Sequence, residues 1–101
     1  MRMLIHVKIP HEEFNVYVKD GSIGRKIKQI LDDIKPEAVY FTEYSGHRGL
    51  IMIADIAEPS RVPAIAEPWF LTFNADVEFH IVMSPAELEK AGIEKLAKKW
   101  V

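Results

Sequence analysis

The stretch ADVEFHIVMSPAELEK, residues 75–90, decides the fold because it contains the clearest strand and the clearest helix start in the chain. Within 77–83, apolar residues at odd positions alternate with more polar residues at even positions, the pattern of a strand with one dry face and one mixed face. Ser84 follows as an N-cap, with Pro85 at the first helical position and Glu87 completing a capping box. The sequence therefore predicts a strand that leads directly into a helix.

Length and composition place the chain among small globular proteins. Its 101 residues, 49% of them hydrophobic, suffice for a single domain spanning 1–101. The apolar runs are too short to cross a membrane, and MRMLIHVKIP lacks the features of a secretory signal, so we expect a cytoplasmic protein with no membrane partner. The absence of cysteine excludes disulfides and thiolate chemistry, and a net charge of −2 gives no overall attraction to nucleic acids.

Outward from the deciding stretch, periodicity and turn residues predict the other elements. They are a strand at 3–9, helices at 12–18 and 22–34, a hairpin of strands 38–43 and 49–56 around Ser45-Gly46, a helix at 60–73, and a last helix at 85–99. Pro68 is expected to kink or end its helix before Trp69, and Gly92 is a weak point in the last helix. The order of elements is β, split α, β, β, α, β, α.

This order predicts an α+β, ferredoxin-like βαββαβ fold with a four-stranded antiparallel sheet, strand order 4-1-3-2, a split first helix and an extra C-terminal helix. The first and last strands are then neighbours. We expect His6 to face His80 and Lys8 to face Glu78, since this register matches apolar residues and opposite charges.

The two faces of the predicted sheet differ in polarity. One face is wholly apolar and belongs under the helices. The other is expected to carry a mixed set of side chains: Leu4, His6, Tyr40, Leu50, Met52, Glu78, His80 and Val82. A face this apolar requires a cover, so we expect a second copy of the chain to cover it in a homodimer.

Three segments carry a resemblance to a known superfamily. KPEAVYFTE (35–43), AEPWFLTFNADVEFHIVM (66–83) and SPAELEKAG (84–92) resemble a group of small bacterial proteins of the dimeric α+β barrel superfamily, and the likeness covers nearly the whole chain. That superfamily includes muconolactone isomerase, cofactor-free quinone-forming monooxygenases, haem proteins and regulatory ligand-binding domains. The resemblance implies the ferredoxin-like fold and the dimer. No catalytic motif of those enzymes matches residue by residue, so none is transferred.

The first candidate site comprises His6, Glu78 and His80, with Tyr40 or Glu43 nearby on the mixed face. Two imidazoles and a carboxylate are suited to acid–base catalysis on a small substrate, with Glu78 setting the tautomer of a histidine, or to binding a metal. The alternative is a structural interface in which the histidines bond only to neighbours or water. No motif specifies a cofactor or a dedicated metal site.

Two further candidates concern ligand binding. Trp69, with Glu67 beside Pro68, is placed to form one wall of an apolar pocket for a small aromatic molecule, or else to fill the core. Arg48 near the hairpin tip is suited to holding a substrate carboxylate, or else belongs to a solvated turn.

The segment Gly21-Ser22-Ile23-Gly24 points to a different class. Lying between two helices and followed by basic residues, it is similar to the GxxG loop of KH domains, which grips the phosphates of nucleic acids. The alternative is a tight turn that restarts the helix.

The function expected from the sequence is binding of a small apolar or aromatic molecule, with proton transfer or cofactor-free oxygenation if the protein is an enzyme. A non-catalytic dimer, a haem or metal protein and a KH-like module are the alternatives.

Overall fold

Four antiparallel strands form one sheet in the order β2-β3-β1-β4, which is the predicted order 4-1-3-2 read from the other edge. The computed structural model describes all 101 residues. The strands are β1 Arg2–Ile9, β2 Ala38–Tyr44, β3 His47–Asp55 and β4 Asp76–Ile81, and the helices are α1 His11–Lys19, α2 Ile23–Ile34, α3 Val62–Phe73, α4 Pro85–Ala91 and α5 Ile93–Lys99. A short 3-10 turn, Pro59–Arg61, precedes α3. The ferredoxin-like α+β fold predicted from the sequence is confirmed.

The core lies between the sheet and α1, α2 and α3. Alternate residues of β1 point into it and are buried, and they meet the largest enclosed side chains of α3, Trp69 and Phe73, both of which are 0% exposed. Phe14 and Tyr17 of α1 pack on Phe73 with ring centroids 5.8 and 5.7 Å apart. Burying each large apolar side chain contributes about 1.5–3 kcal/mol, so this layer is the main stabilising term. No helix is both long and apolar enough to cross a membrane.

Helix α3 continues through Pro68, so the expectation that the helix ends before Trp69 is wrong. Proline removes the hydrogen bond to the carbonyl four residues earlier, that of Ala64. Ala64 is itself exposed at the surface of the helix. The buried side chains Ile65, Trp69 and Phe73 hold both halves of α3 on the sheet, which outweighs the lost bond.

The predicted last helix is two helices separated at Gly92, whose φ of 70° ends α4 in the left-handed conformation. The capping box at the start of α4 is confirmed, because Glu87 N–H donates to Ser84 Oγ at 3.2 Å and Ser84 N–H donates to Glu87 Oε1 at 2.8 Å. Neither α4 nor α5 has a buried residue. These helices therefore add nothing to the core described above.

The sheet face turned away from α1, α2 and α3 is called the open face below. Its residues are Leu4, His6, Lys8, Ala38, Tyr40, Thr42, Tyr44, His47, Gly49, Ile51, Ile53, Asp76, Glu78 and His80. Leu50 and Met52, which were expected on it, lie on the opposite side and are buried. Strand β3 is apolar on both faces, so its sequence contains no alternation that separates them.

The predicted register of β1 against β4 is wrong by two residues. His6 lies opposite Glu78, and His80 lies opposite Leu4. A shift of two leaves every side chain on its predicted face, whereas a shift of one would have reversed them all. The apolar face is less completely covered than expected, because Ile81 and Met83, at the end of β4 and just beyond it, remain 65% and 60% exposed.

Candidate functional site: a histidine–carboxylate cluster on the open face

A carboxylate and two imidazoles lie together on the open face of β1 and β4. Glu78 faces His6 across the strand pair, and its Oε2 lies 3.3 Å from Nε2 of His80, two residues along the same strand. Glu78 and His80 side chains are 58% and 57% exposed. A carboxylate that accepts a hydrogen bond from Nε2–H leaves Nδ1 with a free lone pair, the arrangement of a general base. The structure thus places the three residues of the first candidate site on one face, and a side-chain hydrogen bond joins two of them, Glu78 and His80.

Tyr44 adjoins this cluster on its other side. Its ring meets the His6 imidazole edge to face with centroids 4.3 Å apart, and Lys8 Nζ lies 5.8 Å from the centre of the same ring. Tyr44 was not among the predicted site residues, since the predicted β2 ended at residue 43. The two-residue turn Ser45-Gly46, with φ values of 51° and 79°, extends the hairpin and sets Tyr44 opposite His47.

An apolar depression of about 100 Å³ lies beside the histidine–carboxylate cluster. Six residues line it: five belong to the open face, Leu4, Ala38, Tyr40, Ile51 and Ile53, and the sixth is Met52, whose side chain is buried on the opposite side of the sheet. Tyr40, a predicted ligand-binding residue, stands at its edge with 68% of its surface exposed. Pockets for organic ligands usually measure about 300–1,000 Å³, so this depression is one wall of a site rather than a complete pocket.

Two predicted ligand-binding residues of the hairpin lie on the helix side of the sheet. Glu43 was expected beside Tyr40, but adjacent strand residues point to opposite faces, and Glu43 Oε2 accepts a hydrogen bond from Gly46 N–H at 2.8 Å. Arg48 donates to Asn15 Oδ1 at 2.7 Å, and its guanidinium lies 4.4 Å from the Phe14 ring centre. These contacts stabilise the turn and fasten the hairpin to α1.

The remaining two predicted ligand-binding residues belong to α3. Trp69 is enclosed in the core, stacked on Phe73 with centroids 6.0 Å apart, while Glu67 is exposed on the outer side of the helix. The indole Nε1–H of Trp69 is buried and has no acceptor in the chain. An unpaired buried donor costs about 1–3 kcal/mol unless water reaches it. The placement of Trp69 matches the core alternative.

The Gly21–Gly24 segment leads into α2, and the carboxylate of Asp20 lies at this helix start. Asp20 Oδ1 accepts hydrogen bonds from Ser22 Oγ at 2.6 Å and from Ser22 N–H at 2.8 Å. These bonds to the Ser22 hydroxyl and amide lower the pKa of Asp20. An anion at this helix start would be repelled by Asp20, and the four-stranded sheet is not that of a KH domain, so the helix-restart alternative fits.

No three histidine, aspartate or glutamate side chains are grouped as a metal site requires. The residues described above instead define a ferredoxin-like α+β protein whose open sheet face carries a histidine–carboxylate cluster beside an apolar depression. No family model matches the sequence, and no curated protein matches it.

Among solved structures, this fold is similar to that of 5-chloro-2-hydroxyhydroquinone dehydrochlorinase (TftG) from Burkholderia phenoliruptrix AC1100 in complex with 2,5-dihydroxybenzoquinone. The TM-score is 0.59 and the identity 17%, over 86% of this chain and 99% of that chain. At this identity, the likeness establishes a shared fold and does not carry residue roles across.

Proposed function

We propose that this protein is a homodimer that binds a small apolar or aromatic molecule at the open face and acts on it by proton transfer. His80 is the base, Glu78 sets its tautomer, and His6 is the second acid–base group. The observation that carries the proposal is the hydrogen-bonded pair of His80 and Glu78 beside an apolar depression on the same face. In such a site the apolar surface holds a small ring compound, and the polar pair beside it orients the compound and transfers a proton to or from it.

The dimer is proposed because the open face has exposed apolar residues and no second wall over its depression. Leu4, Ile51 and Ile53 lie at the centre of the sheet and stay partly exposed, and the depression between them is too small to enclose an organic ligand. A second copy over this face removes that apolar surface from water and supplies the missing wall. Symmetric association of two identical chains is the commonest way for a small protein to do this.

The ligand class follows from the side chains around the depression. Tyr40 and Tyr44 offer aromatic rings, and the imidazoles of His6 and His80 offer hydrogen bonds to ring oxygens. TftG, a protein of the same fold, was solved with a small oxygenated ring compound, which supports the same class for this chain.

The second candidate is a dimer that binds without catalysis. It is favoured by the exposure of His80 and Glu78, both more than half accessible, because solvated pairs of this kind also occur with no chemical role. The two candidates agree on the ligand site and differ only in what happens there.

The test of binding is an amide NMR titration with 2,5-dihydroxybenzoquinone as the probe. The proposal expects saturable shifts at Leu4, His6, Tyr40 and Ile51, with none in α2. Shifts confined to the helices, or no shift at millimolar probe, would contradict the ligand site.

The test of proton transfer is the exchange of the probe's ring hydrogens for deuterium in heavy water, in which a deuteron adds to a ring carbon and the original proton leaves it. The protein should accelerate this exchange, His80→Ala should abolish the acceleration, and His11→Ala, which removes an exposed histidine from α1, should retain it. Binding without acceleration would establish the non-catalytic candidate instead.

A further inference from the structure

The last twenty residues, 82–101, form an extension that we name the C-terminal arm. It comprises a short connection, α4 and α5, and its large apolar side chains are exposed: Leu88 44%, Ile93 54%, Leu96 50% and Trp100 78%. With Ile81 and Met83 just before α4, the exposed apolar surface is on the order of 500 Å² per chain, as large as the largest patch on a typical monomer. Patches of this size mark an interaction surface.

The C-terminal arm does not pack on its own sheet. Val82 N–H donates to the Arg2 carbonyl at 3.4 Å, so the connection continues the line of β4, and the capping box at Ser84 then fixes the direction of α4. The radius of gyration is 17.1 Å, against about 13 Å for a compact chain of this length. The longest dimension is 59 Å, whereas an eight-residue strand such as β1 spans only about 27 Å.

We propose that the C-terminal arm of each chain lies on the open face of a second copy and forms the roof over that copy's depression. This deepens the proposed function, since it rests on the open face being covered by a second copy. The lengths are comparable, because two seven-residue helices joined at Gly92 span at most about 22 Å and the strands beneath them about 27 Å. Each ligand site is then incomplete without the partner chain.

The buried area reaches that of a stable dimer. If each arm buries its roughly 500 Å² of apolar surface against an equal area of the open face, two reciprocal contacts bury on the order of 2,000 Å² in total, the upper end of a standard interface. The dimer interface is isologous, since each chain contributes the same two surfaces, its C-terminal arm and its open face.

The charges of the C-terminal arm favour a protein surface over a lipid surface. Its four lysines are balanced by three glutamates, and α4 itself carries two of those glutamates, Glu87 and Glu89. Helices that lie on anionic membranes carry a clear excess of positive charge on their polar side. The open face also carries both signs, with Lys8 opposite Asp76, so neither surface repels the other.

The experiment is cross-linking between two full-length single-cysteine variants, which the absence of native cysteine makes clean. Leu96→Cys in one chain and Tyr40→Cys in the other are mixed, exchanged and treated with a short bismaleimide. We expect a mixed 96–40 product at least about fivefold more abundant than the product of Leu71→Cys with Tyr40→Cys. Leu71 of α3 is the matched control, an apolar side chain 82% exposed but outside the C-terminal arm.

A second measurement separates this inference from the proposed function. Leu96→Glu should weaken the dimer at least about tenfold, whereas Leu71→Glu should leave it unchanged. A dimer that gives no 96–40 product and tolerates Leu96→Glu would contradict the placement of the C-terminal arm on the partner's open face. The two chains would then associate sheet to sheet, and the proposed function would stand. A wild-type monomer would overturn both, and a monomer that co-sediments with phosphatidylserine vesicles would assign the arm to a membrane.

Discussion

Glu78 lies opposite His6 across β1 and β4 and accepts a hydrogen bond from His80 at 3.3 Å, so one carboxylate pairs with one histidine of the open face and lies across the strands from the other. This relationship differs from the direct His6–His80 pairing expected from the sequence, and it suits acid–base chemistry better. Two facing imidazoles would compete for the same proton, whereas a carboxylate that accepts from Nε2–H of His80 fixes the tautomer of that histidine.

The role of Glu78 is tested by Glu78→Gln, which keeps the side-chain shape and removes the charge. We expect the exchange of ring hydrogens in 2,5-dihydroxybenzoquinone to slow by roughly tenfold, and His80→Ala to slow it by roughly a hundredfold, since general acid–base groups contribute about 10²–10⁴. Unfolding midpoints should barely change because both side chains are exposed. An unchanged exchange rate in Glu78→Gln would remove Glu78 from the mechanism.

Gly49 is required by the close approach of β1 and β3. A Cβ on Gly49 would lie 2.7 Å from the backbone carbonyl oxygen of Val7, and backbone cannot move aside as a flexible side chain can. We expect Gly49→Ala to lower the free energy of unfolding by roughly 1–3 kcal/mol, measured by urea denaturation. Gly24→Ala is the matched control: nothing lies within 4 Å of its Cβ, so it should stabilise α2 by up to about 1 kcal/mol. Equal effects at the two sites would contradict this account.

Pro68 interrupts the hydrogen bonding of α3 without ending the helix. Pro68→Ala restores the amide that can donate to the Ala64 carbonyl, so we expect it to raise the free energy of unfolding by about 1 kcal/mol. Pro63→Ala, in the first turn where no such bond is lost, should change it by less than about 0.5 kcal/mol. A lower free energy of unfolding in Pro68→Ala would contradict this expectation. It would show that packing of the proline ring stabilises the protein by more than the missing hydrogen bond costs.

The sequence predicted the faces of the sheet more reliably than the pairing of its strands. The period of two in β1 and β4 assigned His6, Glu78 and His80 to the mixed face, and that assignment is confirmed. The two-residue error in register preserved it, because cross-strand pairing of apolar and charged residues is satisfied almost equally well in both registers. Strand β3 is apolar on both faces, so only the hairpin turn determines which of its side chains point to the open face. This is why Leu50 and Met52, rather than Ile51 and Ile53, were expected there.

Local chemistry predicted the helix ends, whereas tertiary packing decided α3. The capping box at Ser84 was expected from residue type and forms as expected. The passage of α3 through Pro68 depends on burial of Trp69 and Phe73, which no local rule contains. The exposure of the C-terminal arm was likewise hidden, since its apolar stripe has the pattern of a core-facing helix.

Acid should destabilise the fold through Asp20. Its hydrogen bonds from the hydroxyl and amide of Ser22 depress its pKa in the folded state. A depressed carboxyl pKa contributes stability above the unfolded pKa and loses it as the pH falls through the folded value, so the contribution should disappear below about pH 4. Thermal unfolding from pH 7 down to pH 2 should therefore be less pH-dependent in Asp20→Asn than in the wild type. Asp33→Asn, at an exposed residue without a hydrogen bond, is the control.

The proposed ligand site depends on a second copy of this chain covering the open face. The most direct measurement is native mass spectrometry of the full-length protein at micromolar concentration beside Ile53→Lys, which places a charge at the centre of that face without entering the core. We expect two chains per particle for the wild type and one for Ile53→Lys, with equal helix and strand content by circular dichroism. A single chain for the wild type, or two chains for Ile53→Lys, would contradict it.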